Sequence, residues 1–233
     1  MGDYDDLAST TEREVLMNGK LHDSTKWTLE RLYEDHVNRF YKEISFMKGR
    51  VIGLVEGNHY STFLNGMTTT QLLAHKMGTK YLGVSSFINL VLRADKHHGH
   101  NVQIWAHHGL GGGRTLGASI NKLDQMFAMS TARICLMGHD HRKQLAIRNR
   151  FNLSNDRGRG TAKLNDEKTI LARTGSFLKG YQSDMPSYTA DACMAPLDLG
   201  VIKIELTPRK KKTKSSKGRW SNDERWVDIH ASI

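Results

Sequence analysis

The chain reads as a layered α/β fold, and three observations predict it. Segments with helical periodicity alternate with short apolar runs, the pattern of helices laid on a sheet. The runs Val51-Ile52-Gly53-Leu54-Val55, Val102-Gln103-Ile104-Trp105-Ala106 and Ile134-Cys135-Leu136-Met137 read as buried strands. Each is followed within two residues by polar, ligand-type residues: Gly57-Asn58-His59, His107-His108-Gly109 and Gly138-His139-Asp140-His141. Open α/β sheets bind ligands beyond the carboxyl ends of their strands, so these loops are expected to converge.

The elements follow in order. Ser24 can cap a helix that places Leu29, Leu32, Tyr33, Val37, Phe40 and Ile44 on one face and ends near Gly49. It leads into the Val51 strand. A shorter helix is expected from Gln71 to Met77, then strands within Tyr81 to Leu92 and from Val102 to Ala106. Gly111-Gly112-Gly113 opens a helix at about Thr115 that runs through Ile120, Leu123 and Phe127. That glycine run reads either as an anion-facing loop at a helix start or as a permissive turn, with Arg114 a candidate phosphate contact. Leu145–Ile147, Thr169–Ala172 and Val201–Leu206 are expected to form strands of a second sheet layer, and Thr174-Gly175-Ser176 a turn near the site.

Composition bounds the class. With 233 residues, 38% hydrophobic and 8% aromatic, the chain can fill one sizeable core. It has no apolar stretch long enough to span a bilayer and no secretory leader pattern, so no membrane partner and a cytoplasmic setting are expected. Cys135 and Cys193 lack metal-type spacing and read as reduced thiols, Cys135 within a core strand. Lys and Arg exceed Asp and Glu by 34 − 24 = 10, and Arg209 to Trp220 contains no acid. Residues 209–233 therefore read as a basic, self-repelling tail beyond a domain of residues 1–208, suited to phosphate-backbone contact. Trp220 and Trp226 would stack on bases or dock the tail.

Gly2-Asp3-Tyr4-Asp5-Asp6 adds a carboxylate to the amide and imidazoles of the other loops. Such a mixed oxygen and nitrogen set suits Mn, Fe, Zn or Ni better than a thiolate-seeking metal. In this order, Gly-Asp-x-x-Asp, Gly-Asn-His, His-Gly and Gly-His-x-His, the motifs from Asp3 to His141 resemble those of the calcineurin-like metallophosphoesterases. The resemblance implies a β-sandwich flanked by helices and a two-metal site. It assigns Asp3 as the bridging carboxylate, Asn58, His108 and His139 to the second metal, and His141 to the first. His107 replaces His108 if the alignment slips by one. His59 matches the histidine that helps protonate the leaving group. The stretch from His107 to Asn121 also resembles metallophosphoesterases of phage and prophage genomes.

The family's Asp-x-His motif has no counterpart here, because Met1 directly precedes Gly2. Of the first-metal set only Asp3 and His141 are present, so the resemblance implies one retained metal and a weak or empty first position in an N-terminally truncated sandwich. A fragment with an internal start is the favoured explanation. A separately encoded N-terminal piece and a degenerate member are the others. The expected function is hydrolysis of a phosphate ester by a metal-bound hydroxide, phosphodiester or nucleic acid before phosphomonoester. The alternative is a catalytically degenerate module that binds nucleic acid or a protein partner. His97, His98 and His100 with Asp95 read as a solvated turn, His22 and His36 as surface or packing residues, and Asp6 as a residue that orients its loop.

Overall fold

Successive residues of the apolar runs point to opposite sides of a sheet, and the clusters they join show what covers each side. In the computed structural model the chain is described except for residues 5–8, 20, 94–98, 112, 114, 156–161 and 215–219. It divides into two units, Met1–Ser86 with Ala106–Gly111, and Phe87–Trp105 with Gly112–Ile233.

The first unit is built on helices. α1 (Thr10–Asn18) starts at a reciprocal capping box between Ser9 and Glu12, and α2 (Asp23–Ile44) presents buried Tyr33 and Val37. α2 starts two residues earlier than a Ser24 cap would place it, with His22 at the cap making no side-chain bond and Asp23 favouring the positive end of the helix. β1 (Gly53–Leu54) pairs in parallel with β2 (Lys80–Tyr81), joined through α3 (Thr69–Met77). Thr68 and Gln71 cap α3 reciprocally, and Gly78 closes it at φ 63°, a conformation that glycine adopts without a Cβ penalty. Val37, Leu54, Leu73, Ala74 and Met77 form the core, flanked by Tyr4, Phe40 and Ile44.

The second unit carries most of a five-stranded mixed sheet, which makes the fold α/β. Its strands are β3 (Ser85–Arg93), β4 (Gly99–His107), β5 (Ile134–Met137), β6 (Lys143–Asn155) and β7 (Ala162–Thr174), in the order β3-β4-β5-β7-β6. β5 runs parallel to β7, and β6 antiparallel to it. On one face Trp105, Cys135, Met137 and Leu171 pack with Leu123 and Met126 of α4 (Leu116–Met129). On the other, Val102, Ile104, Ile134, Ile170 and Ala172 pack with Val227 and Ile229. Those last two belong to a hairpin of β8 (Lys203–Lys214) and β9 (Trp220–Ser232).

Two expectations are corrected. β6 and β7 extend the sheet that contains β5 instead of forming a second layer, because β7 continues the hydrogen-bonded ladder from β5. Among the described residues beyond 208, 209–214 continue β8 and 220–232 form β9, so the expected boundary at 208 falls inside a strand. Its basic half is held by pairing with β9, whose Val227 and Ile229 are each 6% exposed. Among the described residues no helix is long and apolar enough to cross a membrane. Both cysteines are free; burial of Cys135 pushes its thiol pKa up to about 11.

Ile229→Ala should cost about 2–5 kcal/mol of stability, the range for truncating a buried aliphatic side chain. Urea denaturation followed by circular dichroism checks this. Loss of an unstructured tail residue would leave the midpoint unchanged.

Candidate metal centre

In the first unit the N-terminal segment lies against the loop that follows β1, and two glycines permit the approach. A Cβ on Gly57 would meet the Asp3 Oδ1 at 2.0 Å and the Asp3 amide nitrogen at 2.2 Å. A Cβ on Gly2 would meet His108 Nδ1 at 2.3 Å and the Gly57 Cα at 2.7 Å. Gly2 takes φ 91° and Asp3 φ 51°, so the segment turns through the left-handed region that glycine and aspartate tolerate best. The glycine of Gly-Asp and that of Gly-Asn-His are thus two halves of one steric requirement.

The Asp3 carboxylate is fixed from both of its oxygens. Oδ1 accepts the backbone N–H of Asn58 at 2.8 Å and of His59 at 3.0 Å. Oδ2 lies 3.2 Å from Nε2 of the buried His108, and the same Nε2 lies 2.9 Å from Asn58 Oδ1. The other ring nitrogen, Nδ1, is 2.8 Å from the Met1 carbonyl, which can only accept. Nδ1 therefore carries the proton of the neutral ring, and Nε2 turns its lone pair toward two oxygens. Either a second ring proton or a cation satisfies that arrangement.

Burial would raise the Asp3 pKa, but the hydrogen bond and charge of the His108 ring and the His59 N–H together lower it to about 2. Asp3 is therefore an anion at neutral pH. Of the two adjacent histidines, His108 is brought to Asp3 and Asn58. The His107 ring instead accepts the Gly109 N–H through Nδ1 at 2.7 Å, and burial, with the His108 charge, lowers its pKa. His59 is half-buried, with its backbone anchored on Asp3.

Arg13 of α1, which sequence reasoning passed over, steadies the same loop. Its Nη1 donates to the carbonyls of Asn58 at 3.1 Å and Tyr60 at 2.7 Å, and its guanidinium carbon lies 3.8 Å from the centre of the Tyr60 ring. The capping box that starts α1 was the available signal, because it places Arg13 on a helix. Tyr4 also ties the segment down: its hydroxyl accepts the Val55 N–H at 3.2 Å, and burial raises its pKa to about 12.

His139 and His141 lie in the second unit, on the turn after β5, both half-buried and both left-handed at φ 72° and φ 60°. Asp140 between them is held by residues that sequence reasoning did not select. Its Oδ2 accepts from the Ser119 hydroxyl and sits 3.3 Å from Nε of Arg173, whose side chain is fully buried. Arg173 also donates to the Gly138 carbonyl at 2.9 Å and to the Ser119 carbonyl at 3.2 Å. Gly175, in the stretch expected to turn, follows β7 at φ 80°, and its N–H donates to the Arg142 carbonyl at 3.0 Å. α4 opens beside Thr115 as expected, and Thr115 caps it by accepting the Ala118 N–H at 3.4 Å.

His22 is exposed at the start of α2, His36 is half-buried on it, and His100 lies in β4. Asp5, Asp6, Asp95, His97, His98, Gly112 and Arg114 lie outside the described residues.

Gly57→Ala should drive the Asp3 carboxylate off the Asn58 and His59 amides. The Asp3 carboxyl titration, read by carbon NMR, should then move up from about 2 toward the ordinary carboxylate range. The native pKa lies below the unfolded one. Asp3 thus contributes stability above the ordinary value of 3.8, and that contribution fades as pH falls through about 2. An unmoved titration would show that the amides do not set it.

Comparison with protein-family models, with curated proteins and with solved structures finds no match for this chain.

Proposed function

We propose that the chain is a metal-dependent phosphoesterase, with phosphodiesters or nucleic acid as the favoured substrates and phosphomonoesters next. One observation carries the reading: His108 Nε2, Asp3 Oδ2 and Asn58 Oδ1 converge within 3.2 Å of the ring nitrogen, three donor atoms of the type that Mn, Fe, Zn or Ni accepts. The Met1 carbonyl on Nδ1 is the outer partner that fixes the tautomer of a ligating histidine. The motif order adds His139 and His141 to the set. A bound divalent ion would polarise the phosphoryl oxygens and acidify the attacking water.

The chain's own residues would do the rest. Asp3 supplies the negative charge that holds the ion, and its Oδ1 bonds keep Asn58 and His59 in one turn. Asn58 and His108 orient their donor atoms toward it. His59 would hold a proton for the leaving oxygen, the role the resemblance assigns.

Isothermal titration with Mn or Zn should show binding to the parent chain that is lost in Asp3→Asn and His108→Ala. With an activated aryl phosphodiester, His59→Ala should retain metal and lower turnover by about 10²–10⁴-fold, the usual share of an acid–base group. A parent chain that binds no divalent ion would remove the reading.

The second reading, a module that binds nucleic acid without catalysis, is favoured by the hairpin of β8 and β9. From residue 203 to 232 it has nine Lys and Arg against four Asp and Glu, half of the net charge of +10. Arg209 and Lys210 are exposed, and Trp226, 40% exposed, pairs across the strands with Arg209. Cations beside an exposed indole suit a phosphate backbone with stacked bases. Replacing Lys210, Lys211 and Lys212 with Ser should weaken binding to unrelated DNA sequences about equally. The salt slope should fall by about one per lost phosphate contact. Unchanged affinity and slope would exclude the hairpin as the contact.

A further inference from the structure

Two non-glycine residues, His139 and His141, hold left-handed backbone on either side of Asp140. Such conformations persist where the surroundings over-determine them. The surroundings here are three groups from three elements. β5 and β7 pair in register with Met137 opposite Arg173, so the ladder sets Arg173 beside the residue where the turn departs. Its guanidinium spans Asp140 Oδ2 at 3.3 Å, the Gly138 carbonyl at 2.9 Å and the Ser119 carbonyl at 3.2 Å. Ser119 of α4, itself fully buried, closes the set by donating its hydroxyl to the same carboxylate oxygen.

The planar fork of arginine matches this arrangement, and a lysine ammonium at the same place would lack its geometry. Asp140 Oδ2 is occupied by Arg173 and Ser119, so the acid in Gly-His-Asp-His is a brace between two imidazoles.

We propose that Arg173 is a positioning residue: acting through Asp140, with Ser119, it fixes the turn in which His139 and His141 are presented to a divalent cation. This rests on the metal reading for the role of the imidazoles, and the two arms of its test separate the two claims. The first arm titrates the whole chain with Mn, read by electron paramagnetic resonance. Parent, Arg173→Lys, Asp140→Asn and Ser119→Ala are compared with Ile170→Val, which trims a buried β7 neighbour outside the network. Circular dichroism confirms the fold of each.

Arg173→Lys and Asp140→Asn should weaken Mn binding about 10- to 100-fold, the usual cost of removing an outer-shell partner. Ser119→Ala should do so less, and Ile170→Val not at all. Parent-like affinity in both Arg173→Lys and Asp140→Asn overturns the proposal, and so does an equal loss in Ile170→Val. If Arg173→Lys does not fold, Asp140→Asn and Ser119→Ala decide.

The second arm measures amide hydrogen exchange at Asp140 and His141 without metal. Selectively faster exchange in the network variants supports positioning even if the parent binds no Mn, a result that would sink only the metal reading. Exchange equal to the parent at both amides sinks the positioning role.

Discussion

β5 is a strand buried on both faces, and much of the second unit follows from covering them. Ile134 and Cys135 are each fully buried, yet they point to opposite sides of the sheet. A strand of this kind cannot face water on either side, so one cover is α4 and the other is the hairpin of β8 and β9. The flanking strands repeat the pattern, with Ile104 against Trp105 in β4 and Ile170 against Leu171 in β7. Its parallel ladder to β7 has a second effect, since it brings a buried guanidinium to the point where the chain leaves the sheet.

In the first unit the ordering principle is different. Two positions without a Cβ let a carboxylate enter a turn and take two backbone N–H groups, a gain that offsets its burial and keeps it charged. A charge so placed needs a counterpart. His108 supplies it when protonated, and when neutral its Nε2 turns a lone pair toward the Asp3 and Asn58 oxygens. Both states use the same geometry, which makes the carbonyl on Nδ1 the element that decides what Nε2 can do.

Local signals carried the elements and pairwise signals did not. The Val37 face of α2, the start of α4 near Thr115 and the apolar β5 were legible because period, glycine punctuation and run length are written in adjacent residues. The Ser9 and Glu12 box that opens α1 was equally legible and was passed over. The sheet order was not legible, because the same apolar alternation suits β7 beside β5 or in another layer. The basic run misled for a stated reason: like charges argue against order only when nothing pairs with the backbone, and β9 follows with Val227 and Ile229 to anchor the hairpin. Of the residues that motif spacing singled out, Asp3, Asn58 and His108 are the ones brought together in the first unit. Arg13 and Arg173 belong to no motif, so their partners, 45 and 35 residues away, had no local sign.

The pair of Arg173 and Asp140 is a costly way to gain stability. Both side chains are removed from water, and buried ion pairs of this kind commonly contribute no more than apolar residues of similar volume. What an apolar replacement cannot do is pair with a carboxylate while donating hydrogen bonds to a strand-end carbonyl and a helix carbonyl. The pair therefore has its value in specifying one backbone path. That path is the one along which two histidines take conformations they would otherwise avoid. The network's cost in desolvation and the turn's cost in strain meet at Asp140, which Arg173 pairs with and which His139 and His141 flank. A fold has reason to accept both together where the direction of those imidazoles matters more than the energy of the turn.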